Sequence, residues 1–222
     1  MNPNPQSNLP LEHLIRPDSG KDARPPALFL LHGYGSNEAD LFSFAGELPE
    51  DLFVVSLRAP YTLQPFGYAW YSIDFNADRG KWNDVEQANA SRDVLIQTID
   101  KATEDYKLDP NRISLLGFSQ GSILSYSLAL SYPERVKSLI ALSGYVDREM
   151  LLPQYRSKDL SHLDIYASHG QSDMVIPLAW AQQSAEFLKS LGVPVTYEEY
   201  PAGHGVSGEN LRSFLKWMQG KY

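Results

Sequence analysis

Short apolar runs alternate with segments of helical periodicity along most of the chain. Each apolar run is bounded by turn residues, a pattern typical of buried strands. In the clearest helical segment, residues 84–107, apolar side chains recur at steps of three and four. The predicted strands cover residues 27–31, 52–57, 113–116, 139–142, 163–167 and 193–197, and the predicted helices cover 84–107, 122–130, 178–191 and 207–218.

Alternating strands and helices favour an α/β fold with a mostly parallel central sheet, helices on both faces and right-handed crossovers. Residues 11–16 predict an additional strand that pairs antiparallel at one edge. Since nothing resembling a linker divides the chain, we expect one domain over residues 11–222. Residues 1–10 contain three prolines and no apolar core of a signal peptide, and therefore predict a disordered lead-in.

Charge and composition exclude several classes of function. The 222 residues include 19 Lys and Arg against 27 Asp and Glu, a net charge of −8 that disfavours binding to nucleic acid or anionic lipid. No apolar run approaches the roughly 20 residues of a membrane helix, so we expect no stable membrane insertion and a cytoplasmic location. The absence of cysteine excludes disulfides, thiolate catalysis and iron–sulfur clusters.

A candidate nucleophile lies in the pentapeptide Gly117-Phe118-Ser119-Gln120-Gly121. The bare pattern G-x-S-x-G is weak, but here it directly follows a predicted strand and precedes a predicted helix. That placement is typical of a nucleophile elbow, in which a sharp turn strains the serine backbone and the glycines relieve clashes of Cβ atoms. Ser119 is therefore the predicted nucleophile, although an incidental serine in a glycine-rich turn is the simpler alternative.

A serine hydroxyl needs a base, and in an elbow fold the partners follow in the order serine, acid, histidine. His204 lies in a glycine turn after the last predicted strand and fits this order. His169 also follows Ser119, but Asp173 comes after it, which is the wrong order. His204 is thus the predicted base.

The acid is expected in the loop that follows the preceding strand, where Asp173 stands. Its carboxylate would hold the tautomer of His204 that accepts the Ser119 proton. The competing interpretation makes Asp173 a helix cap, but Pro177 already suits that helix start. Asp147 and Asp164 are weaker alternatives for the acid.

Acyl transfer also needs donors for an oxyanion, usually two backbone N–H groups. Gln120 follows the nucleophile and opens a predicted helix, whose dipole favours negative charge at that end. The second donor is predicted at Tyr34, which lies between Gly33 and Gly35 after an early strand.

Together these motifs resemble the phospholipase/carboxylesterase family of α/β-hydrolases from about residue 26 onward. The resemblance implies an α/β-hydrolase fold without a large lid domain, a Ser119, Asp173, His204 triad, and an acyl pocket lined in part by Trp70. Tyr34 stands where many relatives have Leu, which bears on substrate fit rather than mechanism. The motifs are 31–35, 69–71, 117–121, 169–177 and 203–204.

The aromatic loop, defined as residues 58–82, is an irregular excursion with six rings between Tyr61 and Phe75. It packs on the sheet in one interpretation and walls the acyl site in the other. Rings at the site would limit its depth, so we predict a serine carboxylesterase for short to medium acyl esters. Lysophospholipase, acyl-protein thioesterase and a non-catalytic binding protein remain alternatives. We expect a small-molecule ester substrate and neither cofactor nor metal, and leave a homodimer open.

Overall fold

The computed structural model describes residues 8–74 and 83–222. The strands are β1 His13–Arg16, β2 Ala27–Leu31, β3 Phe53–Leu57, β4 Tyr61–Thr62, β5 Tyr68–Ala69, β6 Ile113–Phe118, β7 Ser138–Leu142, β8 Asp164–Gly170 and β9 Val195–Tyr200. The α-helices are α1 Ala39–Phe42, α2 Val85–Asp105, α3 Gln120–Ser131, α4 Leu178–Ser190 and α5 Gly208–Met218. Short 3₁₀ turns cover Pro133–Arg135, Arg148–Met150 and Pro153–Ser157.

Seven strands form one sheet in the order β1-β3-β2-β6-β7-β8-β9. Every neighbouring pair is parallel except β1 and β3, which pair antiparallel at the edge. The predicted mostly parallel sheet and its antiparallel edge strand are therefore confirmed. β4 and β5 form a separate antiparallel hairpin within the aromatic loop.

Two hydrophobic layers cover the faces of the sheet, because successive strand side chains point to opposite sides. On β2, Phe29 joins the layer that includes Leu95 of α2, whereas Leu28 joins the layer that includes Phe214 of α5. Helices α2, α3 and α4 contribute to the first layer, and α1 and α5 to the second. Both faces are covered by helices, as the sequence predicts.

The structure describes only parts of the two segments predicted to be irregular, the lead-in and the aromatic loop. Leu9 falls within the predicted lead-in, yet it is buried in the core beside Leu11. Burying its apolar side chain is more favourable in free energy than exposing it to water. Residues 1–7 of that lead-in lie outside the described residues, and so do 75–82 of the aromatic loop. The division at residue 11 and the single-domain interpretation stay predictions.

The first turn of α3 lies directly against the end of β2. A Cβ atom added at Gly121 would collide with the backbone carbonyl oxygens of Leu31 and His32, which cannot yield as a flexible side chain would. Glycine at this position therefore sets how closely the helix approaches the sheet.

We expect Gly121→Ala to lower the free energy of unfolding by about 1–3 kcal/mol, the typical cost of overpacking a rigid site. Gly46→Ala is the matched control, because a Cβ at Gly46 meets nothing within 4 Å. The control should change stability by less than about 0.5 kcal/mol. Urea denaturation of the three proteins measures both values, and equal effects would contradict the close approach.

Candidate active site

Ser119 occupies a strained turn between β6 and α3. Its φ of 52° and ψ of −117° lie in a region that residues other than glycine rarely adopt. The Ser119 N–H donates to the carbonyl of Leu142 on β7 at 2.9 Å, which ties the turn to the next strand. A Cβ at Gly117 would lie 2.5 Å from the carbonyl oxygen of Gly121, so the turn closes only with glycine there. The structure has the geometry of the predicted elbow.

A continuous chain of hydrogen bonds joins Ser119, His204 and Asp173. His204 Nε2 lies 2.9 Å from Ser119 Oγ, and His204 Nδ1 lies 2.7 Å from Asp173 Oδ2. The three residues follow β6, β9 and β8, whose carboxyl ends meet at one edge of the parallel sheet. The structure thus brings together the three side chains that the sequence singles out.

The Asp173 carboxylate is fully enclosed and hydrogen-bonded through both oxygens. Its Oδ1 accepts the backbone N–H groups of Val175 at 2.8 Å and Ile176 at 2.9 Å, and its Oδ2 faces His204. Burial opposes ionisation of this group, yet the hydrogen bonds from His204, Ile176 and Val175 hold the pKa of Asp173 below its ordinary value. The site therefore presents a charged acceptor to the imidazole.

The two alternative acids have other partners. Asp164 lies at the opposite end of β8 and pairs with Lys221. Asp147 accepts the side-chain amide of Asn83 at 2.9 Å and the N–H of Glu149 at 3.0 Å. Their hydrogen bonds and ion pairs are made to residues other than His204, so Asp173 is the acid that fits the geometry.

The structure also places a second imidazole at Asp173. His169, excluded as the base because of its position in the chain, has its Nε2 3.3 Å from Asp173 Oδ2, and both side chains are fully buried. Sequence reasoning missed this contact. The available signal was the position of His169 at the end of β8, directly before the loop that carries the acid.

The loop predicted to supply an oxyanion donor, residues 32–35 and called the oxyanion loop below, is shaped by the buried side chain of His32. His32 Nδ1 lies 2.7 Å from the Gly33 carbonyl, and Nε2 accepts the Ala59 N–H at 3.1 Å. A carbonyl only accepts, so Nδ1 carries the hydrogen. Burial lowers the pKa of His32, which favours this neutral tautomer.

Hairpin strand β5 braces the oxyanion loop from one side. The Gly35 N–H donates to the Tyr68 carbonyl at 2.9 Å, and the Tyr68 N–H donates to the Ser36 carbonyl at 2.9 Å. Arg58 lies over the ring of Tyr68, 4.7 Å from its centroid, and pairs with Glu38 at 2.5 Å. The hairpin of the aromatic loop thus holds the oxyanion loop in place through main-chain hydrogen bonds.

The side chain of Gln120 anchors the aromatic loop. Its Oε1 accepts the Trp70 N–H at 2.8 Å, and its Nε2 donates to the Tyr71 carbonyl at 2.7 Å. The backbone of Gln120 opens α3 immediately after Ser119. Gln120 therefore links the elbow to the segment that carries Trp70.

Trp70 does not lie where the resemblance implied. Its side chain is completely buried, its Nε1–H donates to the His32 carbonyl at 2.9 Å, and its ring centroid is 5.6 Å from that of His32. It is not among the described residues that line the cavity at Ser119. A buried indole N–H requires an acceptor, which Trp70 finds beneath the oxyanion loop. Trp70 therefore supports that loop and does not line the cavity at Ser119.

A cavity of about 470 Å³ opens at Ser119 and His204. Tyr34 and Gln120 line it on the side of the oxyanion loop and elbow. Its apolar walls come from Ile73, Ile123, Tyr145, Met174, Ile176 and Trp180. At its mouth Met174 is 94% exposed and Val175 is 56% exposed. An apolar cavity with a few convergent polar groups is the usual form of a small-molecule site.

The fold and the site define an α/β-hydrolase with a Ser-His-Asp arrangement. A family model described as Phospholipase/Carboxylesterase matches residues 16–220, and the chain belongs to this family. The family and the fold class predicted from the sequence are thereby confirmed. The family is one of carboxylic ester hydrolases, which agrees with the predicted class of enzyme.

Named relatives span this chain to different extents. Esterase YpfH of Escherichia coli is 28% identical over 94% of this chain and 88% of its own length. Acyl-protein thioesterase 1 of Debaryomyces hansenii is 26% identical over 67% of this chain and 65% of its length. The crystal structure of the Bacillus cereus carboxylesterase has a TM-score of 0.84 at 25% identity, covering 98% of this chain and 97% of that one. Three curated relatives are matched over only 43% to 65% of their length.

The helices within residues 8–74 and 83–222 are each too short or too polar to span a bilayer. The cytoplasmic location and a homodimer stay predictions.

Because His32 is buried as a neutral imidazole, the free energy of unfolding depends on pH. Because burial lowers the pKa of His32, the unfolded chain binds more protons than the folded one between that lowered pKa and about 6.5. The contribution of neutral His32 to the free energy of unfolding is therefore fully present above about pH 6.5 and declines as the pH falls below that value. His32→Asn, whose amide still reaches the Gly33 carbonyl, should flatten the decline by up to about 1.4 kcal/mol per pH unit. Urea denaturation between about pH 5 and 8 tests this, and identical slopes would contradict it.

Proposed function

We propose that this chain is a serine carboxylesterase that hydrolyses esters with short to medium acyl groups through an acyl-enzyme. The observation that carries the proposal is the chain of hydrogen bonds from Ser119 Oγ through His204 to Asp173, at 2.9 and 2.7 Å. A hydroxyl is a weak nucleophile until a base removes its proton, and the imidazole lies within the distance that this transfer needs.

In the proposed first half-reaction, Ser119 Oγ attacks the ester carbonyl carbon and its proton moves to His204 Nε2. The carbonyl π electrons move to oxygen and form a tetrahedral oxyanion. When this intermediate collapses, the bond to the alcohol oxygen breaks, and the alcohol leaves with the proton from His204 Nε2. The Asp173 carboxylate stabilises the imidazolium that exists between these two transfers.

The backbone N–H groups of Tyr34 and Gln120 are the proposed oxyanion donors. The Gly33 carbonyl accepts from His32, and in a trans peptide the N–H of Tyr34 points away from that carbonyl. Gln120 opens α3, so its N–H belongs to the helix end with the positive partial charge. Two donors fixed before reaction stabilise the developing charge without reorganisation.

In the proposed second half-reaction, water attacks the acyl-enzyme carbonyl while His204 Nε2 takes one of its protons. Collapse of the second tetrahedral intermediate breaks the bond to Ser119 Oγ, which regains its proton from His204. The products are the carboxylic acid and the restored serine. The reaction consumes one water and requires no redox step.

The size of the cavity supports the proposed acyl range. Trp180 and Tyr145 pack edge to face at 4.9 Å between ring centroids, and both line the cavity. Bulky rings in the lining occupy volume that a long acyl chain would need.

Hydrolysis of thioesters with longer acyl chains is a second candidate. The exposed apolar side chains of Met174 and Val175 at the cavity mouth favour it, because they offer surface on which a longer chain continues outside the cavity. The relative from Debaryomyces hansenii carries the name acyl-protein thioesterase.

The first test addresses the nucleophile and the non-catalytic alternative together. We expect an organophosphonate to modify Ser119 of the wild-type protein, and Ser119→Ala to abolish both labelling and ester turnover while the melting temperature stays within a few degrees. Intact-mass and peptide mass spectrometry locate the adduct. Ser122→Ala is the control that keeps the label at Ser119, because Ser122 lies in the first turn of α3 with its Oγ buried and outside the proposed site. An active wild-type enzyme that resists the reagent would exclude the serine mechanism.

The second test measures acyl range with p-nitrophenyl esters of increasing chain length. Each methylene buried in the cavity adds about 0.8 kcal/mol, so kcat/KM should rise by up to about fourfold per carbon until the chain meets the wall. Trp180→Ala should move this break toward longer chains. Trp70→Ala is the matched tryptophan control, which should lower stability or turnover without moving the break. If the break in kcat/KM moves only in Trp70→Ala, then Trp70 and not Trp180 forms the wall. If kcat/KM rises steadily to long-chain esters and their thioesters, the second candidate is favoured.

A further inference from the structure

The acid of the proposed triad is contacted by two imidazoles, and the proposed reaction uses only one. His169 Nε2 lies 3.3 Å from Asp173 Oδ2 and 2.9 Å from the carbonyl oxygen of Ile176. The side chains of His169 and Asp173 are both completely buried. The contact is therefore shielded from water, so the attraction between the polar N–H side of the ring and the carboxylate is not weakened by solvent.

The hydrogen of His169 is located by its partners. The Ile176 carbonyl can only accept, so Nε2 carries a hydrogen. His169 Nδ1 is buried and has no hydrogen-bond partner in the part of the chain that the structure describes. An unpaired buried nitrogen carries a free-energy cost, so among the described residues the stabilising polar contacts of this ring lie on its Nε2 side.

These contacts close the acid loop, residues 173–176, from two sides. Asp173 Oδ1 accepts the N–H groups of Val175 and Ile176, which curls the loop around the carboxylate. On the other side, the Nε2–H of His169 donates to the Ile176 carbonyl, and Nε2 lies 3.3 Å from Asp173 Oδ2. Oδ1 thus has two hydrogen-bond donors, whereas Oδ2 has one, His204, and a close contact with His169 Nε2. Without His169, Oδ2 keeps only His204, which is itself the group to be oriented.

We propose that His169 is a positioning residue that fixes the Asp173 carboxylate toward His204: its Nε2–H holds the Ile176 carbonyl of the loop that carries the acid, and its Nε2 lies against Asp173 Oδ2. The inference rests on the proposed serine mechanism and adds to it a second histidine that exchanges no proton with the substrate. His169 acts through Asp173, so its effect falls on the chemical step and disappears when Asp173 no longer carries a carboxylate.

Two polar variants of similar size separate this role from simple packing. The amide of His169→Gln reaches the place of Nε2 and can still donate there, whereas the amide of His169→Asn is one methylene too short. We expect His169→Asn to lower kcat about 10-fold to 100-fold with little change in KM, well short of the roughly 10⁴-fold cost of losing the acid. His169→Gln should retain activity within a few-fold of the wild type.

His162→Asn is the control for the loss of a histidine contact elsewhere. His162 Nε2 lies 2.8 Å from the Pro133 carbonyl, so it makes the same kind of bond away from the site. This variant should leave kcat and KM unchanged. Thermal melts of all variants establish that the compared proteins are folded, and His169→Leu serves as a third replacement that cannot donate.

A double-mutant cycle supplies the decisive result. In an Asp173→Asn background, His169→Asn should cost less than about threefold further in kcat, because the group through which it acts is already gone. Three results would overturn the positioning role while Ser119 is still labelled. The losses in kcat of the two single variants could multiply in the double variant, or His169→Asn could be as active as the wild type. Equal losses in His169→Gln and His169→Asn would be the third. A wild-type enzyme that the organophosphonate does not modify would overturn the serine mechanism and this role together.

Discussion

The strained backbone at Ser119 is the constraint around which the other parts of the site are arranged. A non-glycine residue with φ near 50° costs about 1–3 kcal/mol and persists only when its surroundings enforce it. Here the enforcement comes from the Leu142 carbonyl, which accepts the Ser119 N–H, and from Gly121, which lets α3 lie against β2. The strain directs Oγ out of the turn toward His204.

Backbone carbonyls decide the states of the two buried histidines beside the site. The Gly33 carbonyl places the hydrogen of His32 on Nδ1, and the Ile176 carbonyl places that of His169 on Nε2. One ring then shapes the loop proposed to hold the oxyanion, and the other holds the loop of the acid. Both loops follow strands of the same sheet, so the fold positions the proposed machinery through its main chain and its histidines together.

The elements that repeat a local pattern could be predicted from the sequence, because alternation, strand length and helical spacing are local properties. The place of Asp173 and His204 also followed from chain order, since the ends of parallel strands share an edge. The task of Trp70 could not be predicted, because it depends on which carbonyl its indole N–H meets after folding. The contact of His169 with Asp173 was missed for a related reason: chain order says which residue can be the base, but not which side chains face the acid.

The position of the site in the sheet has a consequence for how the chain acquires activity. Ser119 and His204 are 85 residues apart, and their strands, β6 and β9, are separated by β7 and β8. Bringing them together requires three successive parallel pairings, which are non-local contacts and form slowly. A chain that has paired β1 through β7 already contains a large part of both hydrophobic layers, yet it lacks Asp173 and His204 in place. Regain of turnover during refolding is therefore a later event than regain of secondary structure, and it reports on completion of the β8–β9 side of the sheet.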